Sequence, residues 1–178
     1  STRPLRRRRQ MVIRDSITTG PRRVVIESNQ DITTDFAGVD FGGQSSGLDF
    51  LFLDGQVDAG LKTYSVGFEL AWTSIDTSKA HGTFTLPNEN IFEVDVALDD
   101  RTSITGGWDG KTLTKLGDGN LILSAVNGYT GATDIQAGTL TTGVVDAFAQ
   151  SSEVKVAGGA TLNLNDFSQT AKSLSGQG

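Results

Sequence analysis

The last third of the chain repeats a cadence: GNLILS at 119–124, GTLTTG at 138–143 and GATLNLN at 159–165. Each places Gly before a short β-prone stretch centred on Leu121, Leu140 or Leu162, at spacings of 19 and 22 residues. A second family lies between them, at Leu113, Ile135, Val154 and Leu174, spaced 22, 19 and 20 residues. Two interleaved strand families with one period of about 20 residues predict a chain that winds, laying each strand over its equivalent one coil earlier. Inward side chains of such a β-solenoid stack into apolar ladders, because equivalent parallel strands sit about 4.8 Å apart. One predicted ladder is Leu121, Leu140 and Leu162. The other is Leu113, Ile135, Val154 or Val156, and Leu174. Gly119, Gly138, Gly159 and Asn127 are the predicted corners, since Gly and Asn tolerate left-handed backbone angles.

Composition agrees with short strands and tight turns. Gly makes up 22 of 178 residues and Pro only 3, which suits neither a collagen-like nor a Pro-rich disordered chain. Cys is absent, so packing and backbone hydrogen bonds must hold the fold. The longest apolar cluster, Phe50 to Leu53, is strand-sized, and no stretch approaches the length of a transmembrane helix.

Three regions follow. Residues 1–23 form a basic irregular arm with eight Arg against Asp15, and the overall charge of −6 therefore leaves −13 on the remainder. A solvated tail is the plain reading of the arm; a processing site or a contact with an anionic surface are its alternatives. No apolar segment follows these charges as in a secretory signal peptide. The acidic body argues against a nucleic-acid groove. Residues 24–79 form a β-rich region, as early coils or as a cap. Strands are predicted at 24–28, 32–41, 48–55 and 64–72, the last with Tyr64, Val66, Phe68 and Leu70 on one apolar face. Residues 80–178 form the solenoid, about five coils spanning about 25 Å. Phe92, 21 residues before Leu113, would already carry the period, and 144–152 would hold a helical turn or an excursion from the coil.

Chemical motifs are sparse. The GGWDGKT stretch ending at Thr112 resembles a phosphate loop, but Thr105 stands where the first Gly is needed and no helix follows. His81 is the sole histidine; Asp76 and Asp99 could orient it, yet no nucleophile frame surrounds any serine. Asp31, Asp35, Asp40, Asp54 and Asp58 could offer oxygen to calcium but match no calcium-loop spacing. Trp72, Trp108 and Tyr129 could form a carbohydrate-stacking surface, with Trp108 as the exposed aromatic. No catalytic, cofactor-binding or metal-binding residue is assigned.

The stretch 113–140 closely resembles the passenger-associated transport repeat of Gram-negative autotransporters. The matching residues are Leu113, Lys115, Gly117, Gly119, Leu121, Leu123, Asn127, Tyr129, Gly131, Thr133, Ile135, Ala137, Gly138, Thr139 and Leu140. Ala125 departs from the Gly usual before the Asn-x-Tyr element. The family normally runs on beyond the position of Gly178, which reads as a fragment edge. The resemblance implies a right-handed parallel β-helix in a surface-displayed or secreted passenger, exported through periplasm and outer membrane by a C-terminal outer-membrane β-barrel. It implies a non-enzymatic stalk that supports secretion and folding. An adhesin binding host glycan or protein along the helix is the alternative, and a scaffold for a catalytic domain outside this segment a further one.

Overall fold

The computed structural model describes residues 23–32, 47–58, 60, 62–88 and 90–178. The arm through residue 22, most of the strand expected at 32–41, and Asp35 and Asp40 lie outside the described residues. The chain is a parallel β-helix preceded by a small antiparallel sheet.

That sheet comprises β1 (Arg23–Glu27), β2 (Leu51–Val57) and β3 (Thr63–Leu70), in the order β1-β3-β2. The β2–β3 pair runs antiparallel from Leu51 opposite Leu70 to Val57 opposite Tyr64. The strands of this region thus pair among themselves and not as coils of the helix. The expected apolar face of β3 is only partly realised: Tyr64 and Leu70 are buried, but Phe68 is exposed.

The helix is built from two parallel sheets. One contains β4 (Thr83–Thr85), β6 (Leu113–Leu116), β8 (Thr133–Ile135), β10 (Val154–Val156) and β12 (Leu174–Gly176). The other contains β5 (Ile91–Val94), β7 (Asn120–Leu123), β9 (Thr139–Thr142) and β11 (Thr161–Asn163). Period-2 alternation is visible in the burial of β6 and β7, where Leu113, Lys115, Leu121 and Leu123 point inward. The stretch 144–152 is a run of turns, with Ala149 N–H donating to Asp146 and Ser151 N–H to Phe148. Among the described residues no helix is long and apolar enough to cross a membrane.

Register refines the ladders. Phe92, Leu121, Leu140 and Leu162 stack in one column, as the leucine spacing predicts. The second expected ladder divides into two. Leu113, Thr133, Val154 and Leu174 form one column, and Phe84, Lys115, Ile135, Val156 and Gly176 the other. Ile135 therefore lies over Lys115, two positions from where spacing put it.

The first coil is long. Phe84 pairs with Lys115, 31 residues on, and Phe92 with Leu121, 29 residues on. Phe92 is thus not one period before Leu113. The excess falls between Val94 and Leu113, where residues 101–110 leave the coil path and Arg101 N–H closes the loop on Gly110 O at 2.7 Å, while Leu98 O still accepts from Gly128 and Tyr129 of the next coil. Because of it, residues 80–178 supply five strands in the larger sheet, four steps that rise about 19 Å rather than about 25 Å.

Candidate functional site

The best-defined polar geometry lines the corners of the coils. Asn127 is only 2% exposed and its amide bridges neighbouring coils. Its Oδ1 accepts from Leu98 N–H at 2.8 Å, and its Nδ2 donates to Ala147 O at 2.8 Å and Ala125 O at 3.0 Å. Gln169 repeats the device two coils later: Oε1 accepts from Ala147 N–H at 2.8 Å, and Nε2 donates to Val144 O at 2.7 Å. Asn127 is not among the positive-φ residues. It serves the corner through its side chain rather than through a left-handed backbone. Buried backbone polar groups must be paired, and at a corner no strand partner exists to do it.

A chain of hydroxyls closes the next part of the corner. Tyr129 Oη lies 2.7 Å from Thr133 Oγ1, which donates to Ser151 Oγ at 3.0 Å. Ser151 in turn donates to the carbonyls of Gly131 at 2.9 Å and Glu153 at 3.0 Å. Since Thr133 gives its proton to Ser151, Tyr129 is the donor to Thr133. Burial raises the phenol pKa, with the Thr133 bond opposing, so Tyr129 stays protonated. These hydroxyls hold one another and the backbone. They leave no nucleophile facing solvent.

The aromatic residues are packed rather than displayed. Trp72 is buried, with ring centroids 4.7 Å from Trp108, 5.3 Å from Tyr129 and 6.5 Å from Phe84. Its Nε1 donates to Asp99 O at 2.9 Å. Trp108, expected to be exposed, is half-buried against the core, and its Nε1 donates to Thr112 O at 2.8 Å. The edge-on contact with Trp72 explains the difference: the excursion 101–110 folds back onto the helix. Arg101 fastens it there, donating to Trp72 O at 2.9 Å and Ser74 O at 2.8 Å.

The loop that resembles a phosphate cradle is closed by its own carboxylate. Asp109 Oδ1 accepts from the amides of Lys111 and Thr112 at 2.9 and 2.8 Å, and Oδ2 from the Thr112 hydroxyl. Despite its desolvation, these bonds and Lys111 hold the Asp109 pKa below the usual value. The amides that would bind phosphate are occupied by a fixed anion. His81 is likewise committed on both ring nitrogens: Nδ1 accepts from Thr83 N–H at 3.2 Å, and Nε2 lies 3.0 Å from Asp49 O. Neither nitrogen is left to act as a base on a serine. Asp76 instead accepts from the Ser78 hydroxyl and amide and pairs with Lys79 at 3.3 Å. Asp58 accepts from the hydroxyls of Thr63 and Ser65 at 2.7 and 2.6 Å. Among the described residues, no three His, Asp or Glu side chains converge on a metal position.

Lys115 is the group whose burial the sequence does not disclose. It is 0% exposed, yet Nζ donates to Leu116 O at 2.8 Å, Gly117 O at 2.7 Å and Ala137 O at 3.1 Å. The ammonium therefore ties its own turn to that of the next coil. Desolvation pushes its pKa down to about 8, partly opposed by Asp118.

At the first coil, Asp49 and Phe50 close the helix. Phe50 is buried, with centroids 4.9 Å from Phe84 and 4.8 Å from Phe92, so it covers the start of two inward columns. Neither residue belongs to a repeat, and periodicity could not single them out.

The arrangement pairs coils and seals corners. No curated protein matches the chain significantly. Residues 113–141 match the family model of the passenger-associated-transport-repeat, and this chain carries that repeat of autotransporter passengers.

Proposed function

We propose that this segment is a non-enzymatic β-helical scaffold of an exported autotransporter passenger, a stalk that supports secretion and folding. The observation that carries the reading is where the repeat's polar residues go. Lys115, Asn127, Tyr129 and Thr133 all lie inside 113–141 and all bond to backbone or side chains of their own or adjacent coils. A repeat whose polar groups are turned inward to join coils is suited to holding a stack together. In a nearest-neighbour solenoid, each coil added to a folded template gains stability from that template. Folding outside the cell would then favour outward movement of the chain.

On this reading the full-length protein carries a C-terminal outer-membrane β-barrel translocator, and the passenger stands on the bacterial surface or is released. The antiparallel sheet β1–β3, with Asp49 and Phe50, serves as the cap at the first coil. Leu121 and Leu140 are both 0% exposed and face each other across adjacent coils. Changing both to Asp buries two like charges and breaks the stack. Surface display of the full-length protein, measured by antibody labelling of intact cells, should then fall sharply with material retained in the periplasm. Undiminished display would refute the scaffold role in secretion.

A further inference from the structure

Asn127 and Gly128 make the sole Asn-Gly pair in the sequence. In a free chain such a pair loses ammonia spontaneously, because Gly has no Cβ to keep its nitrogen away from the Asn side-chain carbonyl. The Gly128 nitrogen gives up its proton and bonds to Asn127 Cγ. The bond from Cγ to Nδ2 breaks, and the amine leaves with a proton as ammonia. Water then opens the cyclic imide. Attack at Cγ leaves Asp, whereas attack at the main-chain carbonyl of residue 127 leaves isoaspartate, whose backbone is longer by a methylene.

The wound chain engages the groups this reaction needs. Gly128 N–H donates to Leu98 O at 3.0 Å, so the nitrogen that must lose its proton is already bonded. Asn127 Oδ1 accepts from Leu98 N–H at 2.8 Å, and Nδ2, the leaving group, donates to Ala147 O at 2.8 Å and Ala125 O at 3.0 Å. Turning the amide toward the Gly128 nitrogen gives up these bonds, and the burial of Asn127 keeps water from the imide. Stacking itself favours Gly at 128, where a Cβ would meet the Asp99 carboxylate. Neither product restores the corner. Asp at 127 has no donor for Ala147 O or Ala125 O and buries a charge against them. Isoaspartate displaces the Gly128 and Tyr129 amides from Leu98 O.

We infer that Asn127 is a spontaneous deamidation site that winding switches off, so that chains left unwound are converted and lose the ability to wind. The inference rests on the β-helix and is independent of the role in export. Its test incubates the 178-residue chain in mildly alkaline buffer, where circular dichroism shows β-sheet, and in the same buffer with urea. Mass spectrometry and isoaspartate-specific methylation follow the peptide that contains Asn127. Conversion in urea should be at least about tenfold faster than in buffer, since the reaction requires local opening. Equal rates overturn the inference. After dilution from urea, size-exclusion chromatography should find unconverted chains in the wound fraction and converted chains in the unwound one. Converted chains spread evenly over both fractions also overturn it. Gly128→Ala hinders the attack, and it fits once the exposed Asp99 turns away, because φ at 128 is not positive. This variant should keep its refolding yield through the same incubation, and a loss as fast as that of the unaltered chain counts against Asn127. If it does not fold, the masses in the two fractions of the unaltered chain decide the question.

Discussion

Lys115 occupies a column whose other inward side chains, Phe84, Ile135 and Val156, are apolar. A buried ammonium is tolerable only with its hydrogen bonds satisfied, and three carbonyls satisfy this one. Desolvation still leaves a cost on the charged form, which sets a pH dependence. Below about pH 8 both folded and unfolded chains keep the proton, and the cost is fully present. Between about 8 and the ordinary lysine value of 10.5 the folded chain releases the proton first, so the unfolded state binds more protons and stability rises with pH. The gain is on the order of 1 kcal/mol per pH unit in that window. Tyr129 works against it above its ordinary titration range, because its raised pKa keeps the folded state protonated while the unfolded state ionises. Urea midpoints between about pH 7 and about pH 9.5 should thus rise for the unaltered chain relative to Lys115→Met. Parallel curves for the two proteins would show that Lys115 does not titrate as its burial dictates.

At the scale of the element, the turns between the two sheets decide how closely coils can stack. Gly138 has φ +66°, and a Cβ there would run into the carbonyls of Gly117 and Gly119 in the turn below. Gly159, in the turn one coil on but one position out of register with Gly138, has φ +84° and open space around its Cβ position. Ala at 159 should cost only the left-handed backbone term, about 1–2 kcal/mol. Ala at 138 adds a collision with backbone that cannot yield cheaply, for a total of about 3 kcal/mol or more. Thermal unfolding of the two variants, compared with the parent, checks the order, and equal losses would mean the turns can separate.

The same turns show what was legible in the sequence. The leucines at 121, 140 and 162 each follow a turn closely, and their stacking follows from spacing alone. The other face misled because a strand offers two inward positions, two residues apart. Thr133 and Lys115 fill inward positions with polar side chains, so Leu113 and Ile135 look like members of one column. The excursion 101–110 hides the first period by lengthening it. Asn127 was legible as a corner residue, but its bonds to Leu98 and Ala147 depend on coils brought together only by folding. Trp108 was misplaced for a similar reason, since its partner Trp72 is 36 residues away and outside the repeat.

For the described residues as a whole, the antiparallel sheet and the helix share a core but the two ends of the stack differ. Phe50, Leu51, Leu70 and Trp72 belong to one buried cluster with Phe84, Leu121, Tyr129 and Leu140. At the other end, Leu174 is 66% exposed, and β11 and β12 contain no fully buried residue. In a solenoid each coil is held mainly by its neighbours, so coils with little buried apolar area open first. Both tryptophans sit where the antiparallel sheet meets the first coil, far from β12 along the stack. Tryptophan fluorescence therefore reports the well-buried end, whereas far-ultraviolet circular dichroism reports every strand. In a urea titration, dichroism should begin to fall before fluorescence responds, and amides of β10–β12 should exchange hydrogen before those of β6–β9. Coincident transitions would instead mean that the end coils are coupled to the first coil as tightly as the middle ones. The asymmetry would then lie in exposure alone, and the stack would unfold as a single cooperative unit.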